Sequence, residues 1–453
     1  MRRGTCPRRL LSPMALILLL FGPPAQAGGS RRGSSKVRGS GGQQGTLAAS
    51  EGKRLSLAKC VQTALARRPE LKGEKAAVRV SAAQVDVERG GYFPTLTVSA
   101  GYKQLKYSYN PKSGGKPPGE DRNDWVLSTN LDWSVLEVAS ASSRVDAAKA
   151  KKKSARESLK AKRRRVILEV THTYYHALER RHYIHLLDAA LERSKLHEKL
   201  AKARLDVGKG SQADILRARV TQARTQLELT KARSAHAQAL ADLKTAMGIS
   251  LNRNITPRPV GLKVPPKTFS PLKSKRRPEQ RQSRHLLDAS RHEKSAALHG
   301  FWPRLRLFGG VELHEDRFFP GENNWFFGVA VEIPLFRYYE TTAEWRKAKA
   351  RVAQAKAQVE EVDSKLALVA QRAFLKLKEA KATLEAAKTL LASAKKNLEV
   401  DEARYRQGVG SMVALTDARA TFFTAKAEVV HAVFNALVRA ADYRHAIGRE
   451  ARP

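Results

Sequence analysis

Residues 204–211 of the chain read RLDVGKGS, and residues 404–411 read RYRQGVGS. A Gly-x-Gly-Ser run that follows one long helical pattern and precedes another is typical of the turn between two antiparallel helices. The first glycine suits a left-handed helix C-cap, and the serine suits the N-cap of the returning helix. The sequence therefore predicts two helical hairpins, with candidate tip residues Arg204, Gly208, Gly210 and Ser211, and Arg404, Gly408, Gly410 and Ser411.

The correspondence between the two halves extends well beyond these tips. Further matches join Trp125 to Trp325, residues 246–248 (AMG) to 446–448 (AIG), 67–70 (RRPE) to 276–279, and 91–94 (GYFP) to 300–303 (GFWP). A unit of roughly 200 residues that occurs twice is a duplication, since solenoid repeats are about 20–50 residues long. We expect each half to contain the same elements in the same order.

The N-terminus has the layout of a secretory signal. Several arginines precede the apolar run from Met14 to Phe21, and Ala-Gln-Ala ends at Ala27. The alternative, a membrane anchor, is disfavoured because the run is too short to span a bilayer. Residues 28–54 are rich in Gly, Ser and Arg and are predicted to be a flexible linker. The remaining division is a first structural repeat at residues 55–250, an inter-repeat linker at 251–270 and a second repeat at 271–449.

Each half contains two segments in which apolar and polar residues alternate. The apolar positions are Leu96, Val98, Ala100 and Tyr102; Trp125, Leu127, Leu131, Trp133 and Val135; Leu305, Leu307, Val311 and Leu313; and Trp325, Phe327, Val329, Val331 and Ile333. Period two with one apolar face fits a half-buried antiparallel sheet or a transmembrane β-strand. Four strands cannot close a barrel, and an open edge inside lipid would leave backbone groups unpaired. If these strands span a membrane, several chains must therefore pool them.

Long helices are predicted on either side of the strands. Neither Pro nor Gly occurs between Tyr338 and Tyr405, and apolar residues there recur in steps of three and four. This heptad-like spacing indicates helices packed side by side, each roughly 100 Å long at 1.5 Å per residue. The other predicted helices are Glu137 to Leu205, the returning helices Ser211 to Met247 and Ser411 to Ile447, and a short opening helix in each half, at Leu55-Ser56-Leu57 and near Pro278.

Composition and motifs exclude several classes of function. The net charge of +41 suggests nucleic-acid binding, but part of it lies in the signal and linker segments, and no nucleic-acid-binding motif accompanies it. The twelve histidines show no metal-ligand spacing, and no nucleophile–base arrangement, P-loop or dinucleotide fingerprint is present. The sequence thus predicts neither an enzyme nor a cofactor or metal site. Cys60, the lone cysteine after the signal, is expected to be a buried small apolar residue.

This pattern resembles the TolC-like family of outer-membrane efflux and secretion channels, from Leu55 to Arg449. The residues that carry the resemblance are the Arg-Pro-Glu and Gly-aromatic-x-Pro motifs, Ile333-Pro334-Leu335-Phe336 at a strand exit, and the two tips. The resemblance implies an α+β membrane protein, with three copies forming a twelve-stranded β-barrel in the outer membrane and a helical barrel in the periplasm. It also implies that the tips dock a membrane-fusion (adaptor) protein that links the channel to an inner-membrane pump.

The family further implies an acidic ring at the periplasmic entrance, just after the second tip. Asp417 matches one of its two positions, and Ala414 occupies the other. In the first half Asp214 is equivalent to Ala414, and Arg217 is equivalent to Asp417. We therefore expect Asp214 and Asp417 to form the constriction, in an entrance that is less acidic than is usual, which leaves its cation selectivity open. An equally good alternative is that both are surface carboxylates in the first turns of helices, where the helix dipole favours them.

Two functions remain compatible with the sequence. The first is a passive export duct of a tripartite efflux pump or a type I secretion system, in contact with outer-membrane lipid. The second is a structural periplasmic coiled-coil protein without a pore. The exported cargo, the class of pump and the role of the strong positive charge stay open at this stage.

Overall fold

The computed structural model describes residues 54–105, 122–208, 210–259, 277–315, 322–333, 338–407 and 409–448. The predicted signal segment and all but the last residue of the predicted linker at 28–54 lie outside these ranges. In chain order the elements are β1 (Arg54–Leu55), α1 (Leu57–Arg67), α2 (Pro69–Gly90), β2 (Thr95–Leu105), β3 (Arg122–Ser134), α3 (Glu137–Asp206), α4 (Gln212–Met247), β4 (Thr256–Pro257), α5 (Pro278–Leu298) with a 3-10 turn (His299–Phe301), β5 (Arg304–Glu315), β6 (Glu322–Glu332), α6 (Tyr338–Arg406) and α7 (Met412–Ala446).

The predicted long helices are confirmed. Helices α3 and α6 contain 70 and 69 residues, and their ends lie within one residue of the predicted ones. The returning helices α4 and α7 begin directly after Ser211 and Ser411, whose side chains cap them. None of the helices in the described ranges is both long and apolar enough to cross a membrane.

Four strands form one antiparallel sheet in the order β2-β3-β5-β6. The hairpin of the first half joins that of the second through β3 and β5, where Leu127 lies opposite Leu313. The predicted alternation is confirmed, because the register places the predicted apolar positions of all four strands on one face. Much of this face is exposed, including Leu96, Val98, Trp325, Phe327 and Val329. Within the sheet, the outer strands β2 and β6 have only one neighbour each.

The helices lie side by side in the same order as the strands next to them in the sequence. Near the sheet, α2 packs against α3, α3 against α5, and α5 against α6. Towards the tips, α4 packs against α3, α3 against α7, and α7 against α6. Helix α3 therefore lies inside the layer along its whole length, whereas α2, α4 and α6 form its edges.

A group of small elements, here called the belt, crosses α3 near its middle and consists of β1, β4 and α1. β1 pairs in parallel with β4, and the Tyr174 hydroxyl of α3 donates to the carbonyl oxygens of Leu55 and Arg258 at 3.2 and 2.8 Å. Cys60 of α1 is fully buried in the largest core cluster, as predicted, and burial raises the pKa of its thiol to about 11.

The belt corrects one detail of the sequence prediction and adds another. Leu55 belongs to β1, and the first helix starts only at Leu57, because Ser56 is its N-cap. Residues 256–257, within the predicted inter-repeat linker at 251–270, form β4. Pro278 begins the longer helix α5 directly, as Pro69 begins α2. The segment before Arg277, where the predicted short opening helix of the second half would fall, lies outside the described residues.

The repeated Arg-Pro-Glu motif meets the end of the returning helix in both halves. Gly248 ends α4 with φ +66°, and a Cβ there would lie 3.2 Å from the Arg68 Cα. Gly448 follows α7 with φ +82°, and a Cβ there would lie 3.4 Å from the Arg277 Cγ. Arg277 Nη1 also donates to the Ala446 carbonyl oxygen at 3.1 Å. The Arg-Pro-Glu motif and the Ala-x-Gly motif, which the sequence analysis identified only because both recur, thus pack together at one junction in each repeat.

Candidate functional site

The two hairpin tips adopt closely similar backbone geometry. In the first tip, Gly208 has φ +70°, and its amide donates to the Leu205 carbonyl at 2.9 Å. This confirms the predicted left-handed cap at Gly208, whereas Gly408 and Lys209 lie outside the described residues. Ser211 Oγ accepts from the Ala213 amide, and Ser411 Oγ accepts from the Ala414 amide, both at 3.1 Å. Both serines are therefore the N-caps that the sequence predicts.

Gly210 and Gly410 are required for a different reason. A Cβ at Gly210 would lie 2.8 Å from the Leu205 amide nitrogen, and one at Gly410 would lie 2.8 Å from that of Tyr405. Carbon and nitrogen cannot approach so closely without displacing the backbone. At each tip the chain folds back against the last turn of the long helix, and only glycine fits there.

One contact joins the two tips to each other. The Arg204 guanidinium carbon lies 4.2 Å from the centre of the Tyr405 ring, a cation–π geometry. Arg419 Nη2 donates to Glu402 Oε1 at 3.2 Å close by. Burial, reinforced by the charge of Arg419, lowers the pKa of His197 to about 4, so this α3 histidine is neutral at pH 7. The sequence prediction did not include Tyr405, although it is the aromatic that replaces Leu205 in the second stretch.

The two predicted constriction residues differ in their surroundings. The Asp214 side chain is 23% exposed, and its Oδ1 lies 3.8 Å from Nη1 of Arg217, one turn further along α4. Asp417 is exposed on α7. Arg404 is also exposed, and so are the apolar residues at the tips, among them Val207, Leu216, Val409 and Val413.

Histidines and carboxylates meet between α3 and α7, nearer the belt. His172 Nε2 lies 2.7 Å from Asp442 Oδ1, and His431 Nδ1 hydrogen-bonds Glu179 Oε1. That hydrogen bond raises the pKa of His431. His172, Glu179 and His431 line a groove of about 530 Å³. In the described ranges, no three His, Cys, Asp or Glu side chains are arranged to hold a metal ion.

Comparison with known proteins identifies the family. The sequence model of the outer membrane efflux protein family matches residues 60–249 and 272–449, which together make up most of the chain. The chain belongs to this family. The sequence-based assignment to TolC-like channels is thereby confirmed.

Individual relatives are distant. The chain is 28% identical to Protein CyaE of Bordetella pertussis over 197 residues, which are 43% of this chain and 40% of CyaE. It is 22% identical to the outer membrane efflux protein BepC of Brucella suis over 295 residues, 63% of this chain and 61% of BepC. The matches thus span about two-fifths and three-fifths of these relatives. The Campylobacter jejuni CmeC outer membrane channel shares the fold, with a TM-score of 0.77, 20% identity and coverage of 88% of this chain and 87% of CmeC.

In this efflux-family protein the second face of the sheet is largely polar. Arg306 Nε lies 2.8 Å from Asp132 Oδ2, and its Nη1 lies 3.6 Å from Glu332 Oε1. Two aromatic residues interrupt the polar face, which the sequence prediction missed. Phe308 lies opposite Gly328, and Phe326 lies opposite Gly310. Each ring occupies the space over its partner glycine, since a Cβ would lie 2.5 Å from the Phe308 ring at Gly328 and 2.8 Å from the Phe326 ring at Gly310.

Proposed function

We propose that this protein is a passive outer-membrane export duct, in which three copies pool their strands and helices around one pore. The observation that carries the proposal is that the sheet and the helical layer have the same lateral order and that, within the described residues, both end in elements with a neighbour on one side only. Three four-stranded sheets would supply twelve strands, enough for a closed barrel with no free edge. The helical layers would then close below it, in the periplasm.

The edge helices support this arrangement. Apolar side chains are exposed along α4 at Leu216, Val220 and Leu227, and along α6 at Leu375, Leu390 and Val400. Stripes of this kind on long helices pack against other helices. Contact between α4 of one copy and α6 of the next would cover both stripes and continue the lateral order around the ring.

The test is purification from the outer-membrane fraction, followed by gel electrophoresis with and without heating and by recording in planar bilayers. We expect a heat-sensitive trimer that conducts ions. A non-porous coiled-coil protein of the periplasm is the alternative, and it would leave the apolar sheet face without a role. A monomer that is soluble without detergent and does not conduct would refute the duct and favour that alternative.

We also propose that the hairpin tips dock a periplasmic adaptor protein that connects the duct to an inner-membrane pump. The paired tips expose two valines, Val207 and Val409, and so offer an apolar surface to which a helix of a partner can bind. Crosslinking in cells from a cysteine introduced at Val409 should capture a periplasmic adaptor protein. Equal capture from a cysteine at exposed Lys356, far from the tips, would show that the contact is unspecific.

The third proposal concerns the entrance, where Asp214 and Asp417 are assigned to the constriction. Asp417 is exposed, whereas Arg217 already partly neutralises Asp214. We therefore expect Asp417→Asn to reduce preference for cations more than Asp214→Asn, measured as the reversal potential in a salt gradient across a planar bilayer. Unchanged reversal potential and conductance in the double Asn variant would remove both residues from the constriction.

A further inference from the structure

An exposed row of five basic residues follows one face of α3 between the sheet and the belt. Its members are Lys149, Lys153, Arg156, Lys160 and Arg163. Their spacing of four, three, four and three residues keeps them on one face of a packed helix. At 1.5 Å per residue the row is roughly 21 Å long.

Three of the five residues of the row have no carboxylate partner in the described part of the chain. Lys149 pairs with Asp146 at 2.9 Å and Lys160 with Glu157 at 2.7 Å. For Lys153, Arg156 and Arg163 the described part of the chain places no carboxylate within 4.0 Å of the charged nitrogens. Like charges three and four residues apart repel and weaken a helix. An external anion would offset that repulsion.

The second repeat serves as an internal comparison. The equivalent positions on α6 are Lys349, Ala353, Lys356, Glu360 and Asp363, which carry no net charge. Residues 138–165 contain eleven basic and two acidic residues, whereas residues 338–365 contain six and five. A helix of the same length in the same layer therefore folds without the basic row, so helix packing does not explain it.

The row lies on the face of α3 that carries the belt. Continuing from the row in steps of seven residues leads to Val170 and Tyr174, and Tyr174 is the residue that binds β1 and β4. Helices α2 and α5 flank α3 within the same chain, so a neighbouring copy does not reach it from the side. A duct must keep its interior open, which puts the belt, and with it the row, on the outer surface.

We propose that this row binds peptidoglycan through the free carboxylates of its stem peptides. The inference rests on the proposed outer-membrane location, which puts α3 in the periplasm. Counted from the start of α3 at Glu137, the row extends from roughly 18 to 39 Å beyond the sheet, whereas the lipid headgroup layer is only about 5–8 Å thick. The row therefore lies below the headgroups, where the cell-wall polymer offers carboxylates repeated along a strand.

The experiment measures co-sedimentation of the purified full-length oligomer with isolated sacculi at low and high salt. The test variant is Lys153→Gln/Arg156→Gln/Arg163→Gln, since Gln is a good helix former. The control Lys347→Gln/Arg351→Gln/Lys356→Gln removes three exposed charges from α6. We expect salt-sensitive binding that falls at least tenfold in the α3 variant and less than twofold in the control. Sacculi with amidated carboxylates should bind weakly.

Three outcomes would overturn the inference. Equal loss in both variants would indicate a general effect of net charge, and unchanged binding to amidated sacculi would exclude carboxylate recognition. Binding to vesicles containing phosphatidylglycerol, but not to sacculi, would identify a lipid surface instead. Bilayer conductance of the same preparations separates this inference from the proposed duct. Channels that conduct ions but do not bind sacculi would refute peptidoglycan binding by the row and leave the proposed duct intact.

Discussion

Single glycines at the tips have two distinct roles, and substitution can separate them. Gly210 needs to lack a Cβ because the Leu205 amide is only 2.8 Å away, whereas Gly208 has open space around it and needs only a positive φ. We expect Gly210→Ala, or a bulkier residue there, to distort the tip at a cost of about 1–3 kcal/mol. Adaptor crosslinking and export should be lost while the heat-sensitive trimer persists.

The matched control is Gly208→Asn, because Asn adopts the left-handed conformation more readily than other non-glycine residues. It should retain most crosslinking and export. Full export by the Gly210→Ala or Gly410→Ala variant would show that tip geometry does not govern docking.

His445, at the end of α7, should make the protein sensitive to acid. Burial, followed by the charges of Arg164 and Arg277, lowers its pKa from 6.5 to about 4. Between these values the unfolded chain binds more protons, so stability decreases as the pH falls, by on the order of 3 kcal/mol in total. The thermal midpoint of unfolding should therefore fall between pH 7 and pH 5, and His445→Gln should reduce that fall.

His176→Gln serves as the matched control, because it removes an exposed histidine from α3. The His431–Glu179 pair acts in the opposite direction. The raised pKa of His431 means that its stabilisation is present below its unfolded pKa and is lost as the pH rises through the folded one. An equal fall in midpoint for wild type and His445→Gln would contradict the role of His445.

At the scale of elements, the junction between the start of α5 and the end of α7 depends on Arg277. Its side chain is 4% exposed, contacts Glu279 at 3.1 Å and donates to Ala446. Burial alone would raise the pKa of Glu279, but the hydrogen bond from Arg277 lowers it overall. Arg277→Met would leave the half-buried Glu279 carboxylate without its ion-pair partner and the Ala446 carbonyl without its donor, and we expect a loss of about 2–3 kcal/mol.

Arg68→Met is the matched change in the first repeat. Its partners Glu70 and Glu169 are 47% and 44% exposed, so water can solvate their carboxylates once the guanidinium group is removed. The expected cost is about 1 kcal/mol. Chemical denaturation followed by circular dichroism compares the two, and equal losses would mean that burial of the partner does not set the cost.

Local sequence patterns predicted the long helices and the strands, but they did not predict the features that depend on contacts between distant parts of the chain. Glycines, serines and heptads defined α3, α4, α6 and α7 to within about a residue, because caps and periodicity act within one or two turns. β1 and β4 are two residues each and pair across some 200 residues, so no periodic pattern could reveal them. The Arg204–Tyr405 contact depends on how one repeat packs against the other. Phe308 and Phe326 broke the alternation because glycine on the facing strand makes room for each ring.

At the scale of the whole molecule, the two faces of the sheet should tolerate charge very differently. Val98 is 56% exposed on the apolar face, and its neighbour Thr97 lies on the polar face opposite Asn130. If the apolar face contacts lipid, Val98→Lys places an ammonium group in the hydrocarbon region at a cost of about 2–4 kcal/mol near its middle. Thr97→Lys would instead place the same group in the aqueous interior.

We expect the first variant to lose most of its heat-sensitive trimer in the outer-membrane fraction and the second to assemble normally, with a lower preference for cations in planar bilayers. The reverse result, with Thr97→Lys failing to assemble, would mean that the sheet closes with its faces exchanged, and equal tolerance of both would mean that neither face contacts lipid.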